Sequence, residues 1–173
     1  MVGALKARWS LWTAVAVLAV ALAFAAFAGW AWLRASGDEA LGYAATRDEA
    51  LRVGRAHVAE LTTLDYHDVD AGIARWLAVS TGPLHDELAG TDEQTRTTLR
   101  QGATVATGTV LDAAVSELDQ QAGTAKLLVS VEISQARQGA PVTTRHNRFV
   151  AALTRTDAGW KVSALDQLPL GAR

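Results

Sequence analysis

The segment TAKLLVSVEISQ, residues 124–135, decides the fold. Ala125, Leu127, Val129, Val131 and Ile133 fall on one side of an extended chain and Lys126, Ser130, Glu132 and Ser134 on the other, the period-2 pattern of a half-buried strand. Residues 103–116 alternate as well, with Val105, Thr107, Thr109, Leu111, Ala113 and Val115 expected on one face. Gly108 marks a bulge or a close approach within that run. Residues 119–123 form the intervening turn. A third strand covers residues 142–155, after Gly139, Ala140 and Pro141. A fourth covers 159–168, after Thr156, Asp157 and Ala158, with Trp160 and Val162 beginning its buried face. Connections of hairpin length make these four strands an antiparallel meander.

Upstream the period changes to that of helices. Residues 48–64 carry Leu51, Val58, Leu61 and Leu64 on one side and Arg52, Arg55 and Glu60 elsewhere, an amphipathic helix. Asp65, Tyr66, His67 and Asp68 interrupt it. Asp68 is placed to cap a second helix whose apolar stripe is Val69, Ile73, Trp76 and Leu77, ending at Gly82 and Pro83. A short segment with Leu84 and Leu88 follows. Thr91 and Gln94 have capping-box spacing for a further helix that Gly102 closes. Helices first and strands afterwards predict an α+β domain with one curved four-stranded antiparallel sheet over a helical layer.

The amino-terminal segment WSLWTAVAVLAVALAFAAFAGWAWL, residues 9–33, is uncharged. As a helix it would be about 37 Å long, against a hydrocarbon core of about 30 Å, so a single transmembrane helix is expected. Trp9 and Trp12 near one end and Trp30 and Trp32 near the other would anchor it at the two membrane interfaces. Ala26-Phe27-Ala28 resembles a signal cleavage site, but the apolar run is about twice the length of a signal core. The expected division is a cytoplasmic amino terminus (1–8), the transmembrane helix (9–33), a tether or helical extension (34–47) and an extracytoplasmic domain (48–173). Lys6 and Arg8 before the helix favour that orientation by a slight margin.

Residues 34–173 hold all 18 acidic residues and 14 of the 16 basic ones, a charge near −4. No basic patch for nucleic acid or anionic lipid follows from such a composition. The absence of cysteine excludes disulfides and thiol nucleophiles. His57, His67, His85 and His146 have no zinc spacing, and neither a nucleophile elbow nor a phosphate loop is present, so no cofactor, metal or catalytic set is expected.

The densest polar cluster is Asp65, Tyr66, His67, Asp68 and Asp70. A carboxylate base with a phenol would suit proton abstraction, but a calcium loop fails, because Gly72 and Val79 fall where ligands are required. An interhelical loop with helix caps is the simpler reading. Arg145 shares the inward face with Phe149, Ala151 and Leu153, where it would touch a ligand at a cavity mouth or form an ion pair at the sheet edge. Trp76 reads as core first and pocket lining second.

The order of elements resembles the cone-shaped fold of the nuclear-transport-factor-2-like superfamily. More narrowly, the stretches 61–70 (LTTLDYHDVD), 77–82 (LAVSTG), Gly108-Thr109-Val110, Ala113-Ala114-Val115 and 157–162 (DAGWKV) resemble the Mce-associated membrane proteins of actinobacteria. The resemblance implies a non-enzymatic, membrane-anchored accessory subunit that assembles or stabilises an Mce-type lipid-import system, with proteins of that transporter as partners. Two alternatives remain: an assembly factor of a type IV secretion or conjugation channel, and an enzyme or apolar-ligand binder using the cone cavity. Asp65, Tyr66, Trp76, Arg145 and Phe149 are the candidate pocket or docking residues, and self-association is left open.

Overall fold

The computed structural model describes the backbone of residues 3–168 and the side chains of residues 17–32 and 40–168. The chain divides into two compact units, Met1–Ala44 and Ala45–Arg173. Helix α1, Gly3–Leu61, is continuous through 59 residues. The stretch expected to be a tether or helical extension is therefore helical throughout.

In the first unit, Val17, Leu18, Val20, Leu22, Phe24, Phe27, Trp30 and Trp32 are all exposed. The side chains of Trp9 and Trp12 lie outside the described residues. Among the described residues no helix is long and apolar enough to cross a membrane, which corrects the expectation of a transmembrane helix. That expectation counted the uncharged run 9–33 as one span, whereas the side chains described within it are those of residues 17–32.

In the second unit α1 is followed by β1 (Leu64–Asp65), a 3-10 turn (Tyr66–Asp68), α2 (Val69–Val79), α3 (Gly82–Ala89) and α4 (Glu93–Gln101). The long strands β2 (Thr104–Asp119), β3 (Thr124–Arg137), β4 (Thr143–Thr156) and β5 (Gly159–Leu168) complete the chain. The sheet has five antiparallel strands in the order β1-β2-β3-β4-β5. The expected four-stranded sheet is corrected by β1, whose two residues pair Leu64 with Ala106 and Asp65 with Val105. Two residues are too few for alternation to register.

Apolar side chains of α1 and of the inner sheet face make the core. Ala50 and Val58 pack with Leu127, Val129, Val131, Ala151, Leu153 and Trp160, all at most 3 % exposed. Gly54 lets the helix lie close to the sheet, since a Cβ there would stand 2.5 Å from Leu127 Cδ2 and 3.1 Å from Leu153 Cδ2. On β2 the expected single face is broken by bulges after Val110 and after Val115. Thr107 and Thr109 face outward beside Ser134 and Glu132, while Val110, Ala113 and Val115 face inward against Val131, Val129 and Leu127. One extra residue flips the phase of everything that follows it.

The α2 helix ends at Val79 rather than at Gly82, because Ser80 and Thr81 leave it in extended conformation and join the sheet edge. Ser80 bridges Val162 in parallel, and the Thr81 N–H donates to the Val162 carbonyl at 2.9 Å. Gly82, at φ +56°, then opens α3 with Pro83 in its first turn. Helix α4 is capped by Asp92 rather than Thr91: Asp92 Oδ1 accepts the Thr95 N–H at 2.7 Å.

Candidate functional site

The polar cluster after α1 is a set of structural fasteners. Asp65 Oδ1 accepts the His67 N–H at 2.9 Å and lies 2.6 Å from His67 Nδ1. The backbone N–H first and the ring second hold the Asp65 carboxyl below the usual carboxylate range. The Tyr66 ring packs on His67 with 3.8 Å between centroids. Asp68 caps α2 through the Ala71 N–H at 3.3 Å. Asp70 receives Arg96 Nη1 and Arg100 Nη2 of α4, each at 2.8 Å, and the two guanidiniums lower its pKa. No three metal-ligating groups converge among the described residues.

Trp76 is half-buried, and its indole N–H donates to the Glu60 carbonyl at 3.0 Å and the Thr63 carbonyl at 3.1 Å. The indole thereby satisfies backbone acceptors that the end of α1 leaves open. Phe149 belongs to the core cluster and is 9 % exposed. Arg145 stands exposed at the end of β4 opposite Ile133 and is brought to none of the other four candidates. The cleft between α1 and α2 is lined by Ala56, His57, Glu60, Arg75, Ala78 and Val79. Arg75 Nε meets Glu60 Oε1 there at 2.6 Å. His57 Nδ1 is buried without a partner, and burial followed by the charge of Lys161 lowers its pKa.

The surface that sequence reasoning missed is the outer face of the sheet. Among the described residues no helix covers it, and a shallow hollow there runs from Asp112 and Ala114 across Leu128 and Ser130 to Arg148 and Leu168. Leu128 and Leu168 are 45 % and 39 % exposed on a face that strand alternation reserves for polar residues, and Leu111 in the neighbouring β2 bulge is 49 % exposed. One signal was available in the sequence: Leu128 stands in the polar phase between Lys126 and Ser130. Around the patch, Lys126 pairs with Glu117 and His146 with Glu132, both at 2.9 Å. Asp112, Arg148 and Asp166 make no ion pair among the described residues. Such a face offers apolar contact and unspent charge, and no arrangement for bond making.

A helical layer on one side of an antiparallel meander, with the other side bare, defines the class of α+β domain to which unit Ala45–Arg173 belongs. The chain itself belongs to the family described as "uncharacterized protein Rv1363c/MT1408-like", whose family model matches residues 9–169. No curated protein matches it. Among solved structures it is similar to an IcmL-like type IV secretion system protein of Legionella pneumophila, with TM-score 0.59 and 11 % identity over 73 % of this chain and 95 % of that one. It is also similar to the periplasmic domain of DotI, with TM-score 0.56 and 12 % identity over 69 % and 92 % of the two chains. A third is CagV, a VirB8 homologue of Helicobacter pylori, with TM-score 0.52 and 10 % identity over 69 % and 99 %. At such identities the likeness is one of fold.

Proposed function

We propose that the chain is a non-enzymatic assembly subunit of a multiprotein membrane complex, of the kind type IV secretion systems exemplify. Its globular domain acts on the extracytoplasmic side and binds other proteins. The observation that carries this reading is the bare outer sheet face, with its exposed leucines and unpaired charges, on a fold shared with secretion-system periplasmic domains. The carboxylates and the histidine of the polar cluster are engaged in helix caps, local hydrogen bonds and the Asp70–arginine pairs. The lipid-import reading rests on the sequence resemblance alone and gains nothing from the fold comparisons, so the secretion-type assembly role is preferred.

Quantitative proteomics of membranes from a deletion strain tests this. An assembly subunit predicts depletion of a coherent set of membrane proteins. Wild-type protein and the Asp65→Ala/His67→Ala variant should restore that set equally. Unchanged membrane protein levels, or a folded double variant that fails to complement, would contradict it.

A further inference from the structure

We infer that the outer sheet face is a self-complementary interface for a second copy of this chain, related by a two-fold axis running along β3. The register supplies the geometry. Asp112, Ser130 and Arg148 stand in one cross-strand row, and Ala114, Leu128 and Val150 in the adjacent row. Strands are about 4.8 Å apart, so Asp112 and Arg148 lie at equal distances on either side of β3.

A two-fold axis parallel to β3 exchanges β2 with β4 of the facing chain and keeps each row in place. Asp112 then meets Arg148 of the other copy, and Arg148 meets its Asp112, the reciprocal pattern of an isologous contact. Leu128 falls on the axis and meets itself, while Ala114 faces Val150. Leu111, the extra residue of the first β2 bulge, is carried toward the hollow beside Leu168. The strands of the two sheets run nearly aligned, one of the two ways sheets stack.

Charge selects this occupant over others. The face carries Asp112 and Arg148, of opposite sign and without an ion pair among the described residues, on either side of one apolar centre, with Asp166 at its β5 margin, while Lys126 is already matched to Glu117 within the chain. A partner of one sign would satisfy Arg148 or Asp112 and leave the other desolvated beside it. A second copy satisfies both at once.

This goes beyond the assembly reading and does not depend on it, since cross-linking of the purified full chain reports on the copy-to-copy contact alone. The protein has no cysteine, so single cysteines can be placed without background. In mild detergent, Leu128→Cys should yield a covalent dimer with a short bis-maleimide, and Glu87→Cys on α3 should not. Asp112→Arg added to Leu128→Cys should reduce the dimer at least tenfold, and the charge exchange Asp112→Arg/Arg148→Asp should restore it. Circular dichroism melts of each variant verify folding. Absence of the Leu128→Cys dimer, equal cross-linking at Glu87→Cys, or failure of the exchange to restore the dimer in a folded protein would overturn the inference.

Discussion

The indole N–H of Trp76 donates to the carbonyl of Glu60 at 3.0 Å, tying the middle of α2 to the last turn of α1. With the Thr63 carbonyl as second acceptor, one side chain closes a helix whose end would otherwise leave carbonyls facing a half-buried surface. Trp76→Phe keeps the ring and removes the donor. The expected loss is about 1–2 kcal/mol, the range for a hydrogen bond whose acceptors are left partly buried. Urea unfolding of the wild-type and variant chains measures it.

Gly108 sits where the Thr62 side chain crosses β2, and its N–H donates to Thr63 Oγ1 at 3.0 Å. A Cβ at this position would overlap Thr62. Gly108→Ala should therefore cost about 1–3 kcal/mol by overpacking. The control is Gly139→Ala in the β3–β4 turn, which is strained by its φ of +79° but meets nothing within 4 Å. Amide exchange at Leu64 and Asp65 should quicken in the first variant and stay unchanged in the second.

Leu127 is fully buried between Gly54 and the inner sheet. Leu127→Ala should lose about 2–5 kcal/mol, while Leu128→Ala, one residue along on the outer face, should change the stability of the monomer, measured at high dilution, by less than about 1 kcal/mol. Thermal melts of the pair test the assignment of faces. Equal losses would mean that the outer face is packed.

Two ionisable groups give pH dependences of defined sign. Burial and Lys161 lower the pKa of His57, so the unfolded chain binds its proton first. The stability this histidine contributes is complete above its ordinary value near 6.5 and is lost as pH falls from there through the folded value. His57→Leu should flatten the stability profile between about pH 7 and 5. Asp70 is also lowered, by Arg96 first, so its contribution is present above about 3.8 and lost below. Asp70→Asn should remove that acid limb and leave the profile near pH 6 alone.

The order of helices and strands was legible because each long strand has one buried face, so burial writes alternation into β3, β4 and β5. Trp160 and Val162 begin the buried side of β5 as their spacing indicates. What escaped the sequence was non-local or too short. Strand β1 has two residues, and Asp70 finds Arg96 and Arg100 from 26 and 30 positions away. A bulge carries no residue signature of its own, so the phase change at Leu111 was invisible. The five candidate residues took apart into a cap, a stacked ring, a helix fastener, an exposed strand end and a core ring. The apolar patch on the outer face was hidden because a lone leucine in a polar phase reads as ordinary surface.

The central claim, that this chain binds other proteins in a membrane complex, is tested most directly by tagging the full-length protein at its carboxyl terminus and purifying it from native membranes in mild detergent. The account predicts that a stoichiometric set of membrane proteins co-purifies, and that folded outer-face variants such as Leu128→Glu lose either that set or the second copy of the chain. Recovery of the chain as a lone monomer, with a small molecule bound to the inner side of its sheet, would contradict it.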